Sequence, residues 1–265
     1  VDYRIDHAIN VVVRHHPLLG SILAGFANWG VIAFGAAAVL LWFLAPPGRS
    51  DRWKRAGTAG LAGAALGLLT NQVIIHIWQR PRPYQAHPHG IVPILARSTD
   101  PSFPSDHASA AFGIAVGILL IHRRAGYLFL SVAVLIAISR IATGMHYPTD
   151  VLAGAAIGTV SGFLTARVFM QPVLVPLIRA VSRLTDPVVG FVRRQPLARS
   201  TLLRPRFRVA VVSLAGAALL GLFAWDVHPH ILDELPIAAL IVWAATVAVL
   251  AYVASHRVDE PAVGG

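Results

Sequence analysis

No cysteine occurs among the 265 residues, which excludes disulfides, thiolate metal sites and cysteine nucleophiles. Lysine is nearly absent too: of 22 basic residues, only Lys54 is a lysine. Charged residues make up 13% of the chain, against ~25% in a soluble globular domain. So little charge cannot cover a water-facing surface for a chain this long. The shortage argues against a soluble enzyme, a disordered chain and a nucleic-acid binder, despite a net charge of +10. In a bilayer protein such an arginine excess follows from the gathering of basic residues in cytoplasmic loops.

In place of charge there are long apolar runs, and 56% of residues are hydrophobic. A helix needs ~20 apolar residues to cross the hydrocarbon core. The runs predict spans near 27–45, 57–78, 107–121, 126–143 and 150–170, and two more near 208–226 and 236–254. The expected fold is all-α, a polytopic membrane helical bundle of about seven spans. Residues 1–20 differ, because Val11, Val12, Val13, Leu18 and Leu19 are mixed with Asp2, Arg4, Asp6, Arg14, His15 and His16. That pattern predicts an N-terminal amphipathic segment lying at the interface; it has none of the marks of a secretory leader. The organisation read from the chain is a core over 1–170, a basic cytoplasmic linker over 171–207, and two further spans with a tail over 208–265.

Arginine placement orients the bundle. Arg49, Arg52, Lys54 and Arg55 fall between spans one and two, and Arg123 and Arg124 between three and four. Arg179, Arg183, Arg193, Arg194, Arg199, Arg204, Arg206 and Arg208 follow span five. All lie on one face, which the positive-inside rule makes cytoplasmic. The opposite face holds Arg80, Arg82, Arg97 and Arg140, each going against the rule and so calling for a specific reason. On span five, Gly154, Gly158 and Gly162 recur every four residues, a spacing that suits a close seam inside the monomer or a homodimer face.

Three segments share the outer face: Arg80-Pro81-Arg82-Pro83-Tyr84, Phe103-Pro104-Ser105-Asp106-His107, and Ser139-Arg140 with His146-Tyr147-Pro148-Thr149-Asp150. Arginine offers a permanently charged fork that matches phosphate oxygens. Ser105 and Asp106 stand where a helix begins, so free backbone N–H groups and the positive helix end would face the loop; Asp106 reads equally as an N-cap. His107 and His146 can divide acid and nucleophile work near neutral pH. Asp150, in the first turn opened by Pro148, would reach back to His146, fix its tautomer and leave the other nitrogen to attack.

Ser139-Arg140, five residues, His146, three residues and Asp150 resemble the third motif of the type 2 phosphatidic acid phosphatase superfamily. Pro104-Ser105-Asp106-His107 resembles its second motif and Arg82-Pro83 the end of its first. The Asp in the second motif is that of the bacitracin-resistance type of undecaprenyl-diphosphatase, and the resemblance runs from residue 1 to about 170. The superfamily's first-motif lysine position is here Ile75, so its charge is either dispensable or supplied from elsewhere, with Arg80 the first candidate and His76 the next. The resemblance implies an integral-membrane enzyme whose substrate is a polyprenyl diphosphate lipid, such as undecaprenyl diphosphate, with phosphatidic acid or phosphatidylglycerol phosphate as the alternative. It implies His146, Asp150 and His107 as catalytic residues and Arg82, Arg140, Ser105, Asp106 and Arg80 as phosphate-binding. Membrane lipids are the expected surroundings, in a bacterial cell membrane with the site facing outward. No cofactor and no metal are expected: His76, His87, His89, His107 and His146 are too scattered for a zinc site.

Overall fold

The computed structural model describes residues 1–44 and 50–194. The described residues form helices joined by loops, with no strand among them. In chain order the helices are α1 (Asp2–His15), α2 (Pro17–Leu44), α3 (Ser50–Ile77), α4 (Pro83–Ala86), α5 (Asp106–Leu119), α6 (Arg123–Ala142) and α7 (Pro148–Phe163). Two short wider-wound helices, Leu164–Val168 and Met170–Leu174, lead into α8 (Val175–Arg194). Residues 1–184 form one compact unit; residues 185–265 form a second, described only as far as the end of α8. The expected spans at 208–226 and 236–254 lie outside the described residues.

Four helical segments are long and apolar enough to cross a membrane: Pro17–Phe43, Asp51–Ile77, Arg123–Ala142 and Pro148–Val168. The shorter apolar helix α5 accompanies them. The protein is therefore a multi-pass membrane protein. The first two spans begin well before the expected starts. Residues 17–26 simply continue the apolar run, and Asp51, Arg52, Lys54 and Arg55 occupy the first turns of α3, where Lys54 is buried and donates to Ser182 Oγ at 2.9 Å and Arg52 donates to the Ile121 carbonyl at 3.0 Å. Helical packing also continues beyond 170, since Leu174, Val175 and Ile178 bury against Ala59 and Ala166.

Helix α5 is the hub of the bundle. Its Ile114 and Ile118 join Phe34 of α2 and Phe129 and Ile136 of α6 in the main apolar cluster. Its other flanks are lined by glycine. A Cβ on Gly113 would lie 2.7 Å from the Gly63 carbonyl carbon of α3, and one on Gly162 of α7 would lie 2.7 Å from the Gly113 oxygen. Gly154 and Gly158 meet the backbone of Ser105 and Ser109 in the same way. The four-residue glycine spacing thus serves a seam within the monomer, bringing the start of α7 against the start of α5. Asn71 of α3 adds a polar tie, donating to Asp106 Oδ1 at 2.7 Å and to Ser109 Oγ at 2.9 Å.

Helix α1 inverts the usual amphipathic arrangement. Its buried residues are Asp6, Asn10 and Val13, while Ile5 and Val12 are exposed. Two polar side chains thus face protein, while Ile5 and Val12 stand outward along with Arg4, Arg14 and His15. Asn10 donates to the carbonyls of Val92 and Ala142 and accepts from the Val92 N–H. His7 bonds the Gly90 carbonyl at 2.9 Å, and the Tyr3 ring packs at a tilt against His87. The helix straps the loop between α4 and α5 to the end of α6.

Candidate active site

The three motif segments converge at one end of the bundle, each delivered by local structure. Arg82 precedes α4, where its N–H is capped by Gln85 Oε1 at 2.8 Å and Pro83 takes the first helical position, which suits proline. Ser105 is the N-cap of α5, so the N–H groups of the first turn have no acceptor within the helix. After α6, Gly144 adopts φ +71°, a left-handed conformation open to glycine at little cost. A Cβ there would also press on Ile91 at 2.8 Å. This turn swings His146 back beneath the loop, and Pro148 then opens α7 with Asp150 in its first turn.

Arg82, Arg140 and His146 are almost fully buried, with 6%, 5% and 3% exposure. Arg82 is held by its Nε–H to the Asp100 carbonyl at 2.9 Å and by Nη1 to the Met145 carbonyl at 3.1 Å. The same Nη1 lies 3.3 Å from His146 Nε2. Arg140 donates from Nη1 to the Ala27 carbonyl of α2 at 2.9 Å. Among the buried side-chain atoms without a hydrogen-bond partner are Arg140 Nε and Ser105 Oγ. Buried polar groups are ordinarily paired, so both atoms are exceptions among the motif residues. His107 stands within the electrostatic reach of Arg82 and Arg140.

Burial pushes the His146 imidazole well below its usual value, and the charges of Arg140 and Arg82 push in the same direction. The ring is therefore neutral at neutral pH. Its Nδ1 meets the Ser102 carbonyl at 2.7 Å. A carbonyl only accepts, so Nδ1 carries the proton and Nε2 keeps its lone pair.

Two expected contacts are arranged differently. Asp150 does not reach His146 directly. Its Oδ2 accepts from Ser102 Oγ at 2.5 Å and from the Tyr147 N–H at 3.0 Å, and its Oδ1 accepts from Arg80 at 2.6 Å. The backbone turn that places Asp150 at the third helical position aims the carboxylate at the helix end. Arg80, the expected phosphate contact, is drawn instead into a double ion pair. It donates to Asp150 and, at 2.7 Å, to Asp2 of α1, and its guanidinium lies 3.9 Å from the Tyr147 ring centroid. Two carboxylates attract it more strongly than an open pocket would. Thr149 closes the network, bonding Asp2 through its hydroxyl and its N–H. Hydrogen bonds from Thr149 and Arg80 outweigh the effect of burial on Asp2 and hold its carboxyl below the usual range. Asp106 also differs from expectation, since its carboxylate is taken by Asn71; only its backbone N–H remains to face an anion. Among the described residues no group of three or more His, Asp or Glu side chains is placed to hold a metal ion.

Sequence reasoning missed Ser102, Asp2 and Thr149. Ser102 and Thr149 are small polar residues near motifs and give no sign of their own. Asp2 was visible only as one charge in an amphipathic segment.

Comparison with known proteins gives a consistent picture. Residues 56–173 match the family model described as PAP2 superfamily. The chain is 30% identical over 197 residues to the undecaprenyl-diphosphatase BcrC of Bacillus subtilis (strain 168), spanning 74% of this chain and 97% of that protein. It is 41% identical over 153 residues to the bacitracin transport permease protein BcrC of Bacillus licheniformis, covering 58% of this chain and 73% of the relative. A lipid A 1-phosphatase of Rhizobium johnstonii is 31% identical over 174 residues, or 60% and 69% of the two chains.

Proposed function

The chain belongs to the PAP2 superfamily and is a membrane phosphatase, and from that premise we propose that it hydrolyses a polyprenyl diphosphate lipid to the monophosphate at the outer leaflet, through a phosphohistidine on His146. The observation that carries the reading is a neutral, nearly buried His146 beside Arg82 and within the field of Arg140, whose Nε has no hydrogen-bond partner. Arg82, Arg140, Ser105 and the first N–H groups of α5 hold the terminal phosphate. His146 Nε2 attacks phosphorus, forming an N–P bond as the P–O bond to the lipid monophosphate breaks. His107 gives its proton to the departing oxygen. The bound phosphate brings negative charge beside His107, which favours the imidazolium needed for that step. Water then attacks the phosphohistidine, His107 takes a proton from it, and inorganic phosphate leaves. This is nucleophilic catalysis with charge stabilised by fixed donors, and the two arginines supply the positive charge that a metal ion would otherwise bring.

Likeness to a protein named undecaprenyl-diphosphatase over nearly its whole length supports the diphosphate substrate, and the arginine distribution supports the outward orientation. The monophosphate would return to service as a carrier of wall precursors, which would also counter sequestration of the diphosphate by bacitracin. Phosphate release from purified protein tests the reading, with polyprenyl diphosphate, phosphatidic acid, phosphatidylglycerol phosphate and lipid A compared with and without chelator. The highest kcat/KM should fall on the polyprenyl diphosphate and persist in EDTA. Preference for a lipid monoester, or loss in EDTA restored by Mg²⁺, would overturn it.

A further inference from the structure

We propose that Ser102 is a positioning residue that couples Asp150 to His146. Its side chain is fully buried, and all three of its polar groups are engaged by the site. The backbone N–H donates to the Arg80 carbonyl at 2.8 Å. The carbonyl accepts the Nδ1 proton of His146. The hydroxyl donates to Asp150 Oδ2. The carboxylate that would be expected to grip the imidazole grips the serine instead, and the serine grips the imidazole through its backbone.

This arrangement has a chemical consequence. A carbonyl can only accept, so it enforces one tautomer as firmly as a carboxylate would. It carries no formal charge, so it draws the resting imidazole toward protonation less than a carboxylate would, and Nε2 keeps its lone pair, facing Arg82 Nη1. When Nε2 takes the phosphoryl group the ring becomes cationic, and the Nδ1 proton then points at a carbonyl dipole fixed from behind by an anion. Asp150 thus acts by holding the Ser102 backbone. Arg80 supports the arrangement at two points, through its guanidinium on Asp150 and its carbonyl on Ser102.

The inference rests on His146 being the nucleophile, and the test separates the two. Ser102→Ala keeps the carbonyl and removes the hydroxyl. Its kcat should fall roughly tenfold, as for loss of one buried hydrogen bond to a charged group, with KM within about twofold of wild type. In an Asp150→Asn background the same substitution should cost less than about twofold, because coupled residues are not additive. Ser102→Thr, which retains the hydroxyl, should keep kcat within about threefold of wild type. Full activity in Ser102→Ala, or equal losses in both backgrounds, would overturn the coupling. If Ser102→Ala does not purify folded, Ser102→Thr decides: a tenfold loss of kcat in the folded variant contradicts the proposal. His146→Ala is assayed alongside. Normal turnover by that variant would remove the nucleophile itself, whatever Ser102 does.

Discussion

Arg80 illustrates how a residue's partners redirect its role. It donates to Asp150 and Asp2 at 2.6 and 2.7 Å, and under the proposed mechanism that makes it a support for the Asp150 carboxylate. Arg80→Ala should therefore lower kcat by the equivalent of ~1–3 kcal/mol with little change in KM. The loss should be the same on a lipid diphosphate and on a short soluble one. Steady-state kinetics on both substrates check this, and a change confined to KM would return Arg80 to the phosphate pocket. At this scale the sequence was informative about identity and silent about direction. The motif spacing brings Arg82, Ser105, His107, Arg140 and His146 into view. Whether Asp150 turns toward His146 or toward Ser102 depends on a first-turn geometry that spacing does not encode.

At the scale of elements, α1 is the least conventional part. Its Asp6 carboxyl is fully buried, and both oxygens are without a hydrogen-bond partner. Burial raises its pKa to about 7, with contributions from Asp2 on the same helix and Asp150 on α7. Tyr147 lies within the same field. The folded chain thus keeps a proton on Asp6 that an unfolded chain releases near the ordinary value of 3.8. The unfolded state binds fewer protons between these limits, so the stability owed to this group falls as pH rises from about 4 to about 7 and stays low above. Asp6→Asn should match wild type in thermal stability near pH 4 and exceed it at pH 8. Melting curves in detergent at both values check this, and a variant less stable at pH 8 would contradict it. The alternation of charge and apolar residues identified α1 as amphipathic, but not which side would be buried. Hydropathy located the four spans found among the described residues, whereas their starts moved because apolar residues 17–26 extend the first and the charged Asp51, Arg52, Lys54 and Arg55 are taken into the first turns of α3. Helix α4 was invisible, since four residues carry no periodicity.

For the whole molecule, the glycine-lined contacts of α5 with α3 and α7 hold three motif segments from distant parts of the chain at one bundle end. The arginine asymmetry predicts that this end faces outward. Since the chain has no cysteine, single thiols report cleanly. His89→Cys should react with an impermeant maleimide on intact cells, and Arg124→Cys should react only after lysis. The reverse pattern would place the site in the cytoplasm. The central claim is nucleophilic attack by His146, and rapid quench with a polyprenyl diphosphate labelled on its terminal phosphate tests it most directly. Wild-type enzyme should yield an acid-labile, alkali-stable phosphoryl label that maps to His146. His146→Ala should insert normally, carry no label and lose at least ~10³-fold in kcat. Near-normal turnover by that variant, or a label on a different residue, would contradict the account.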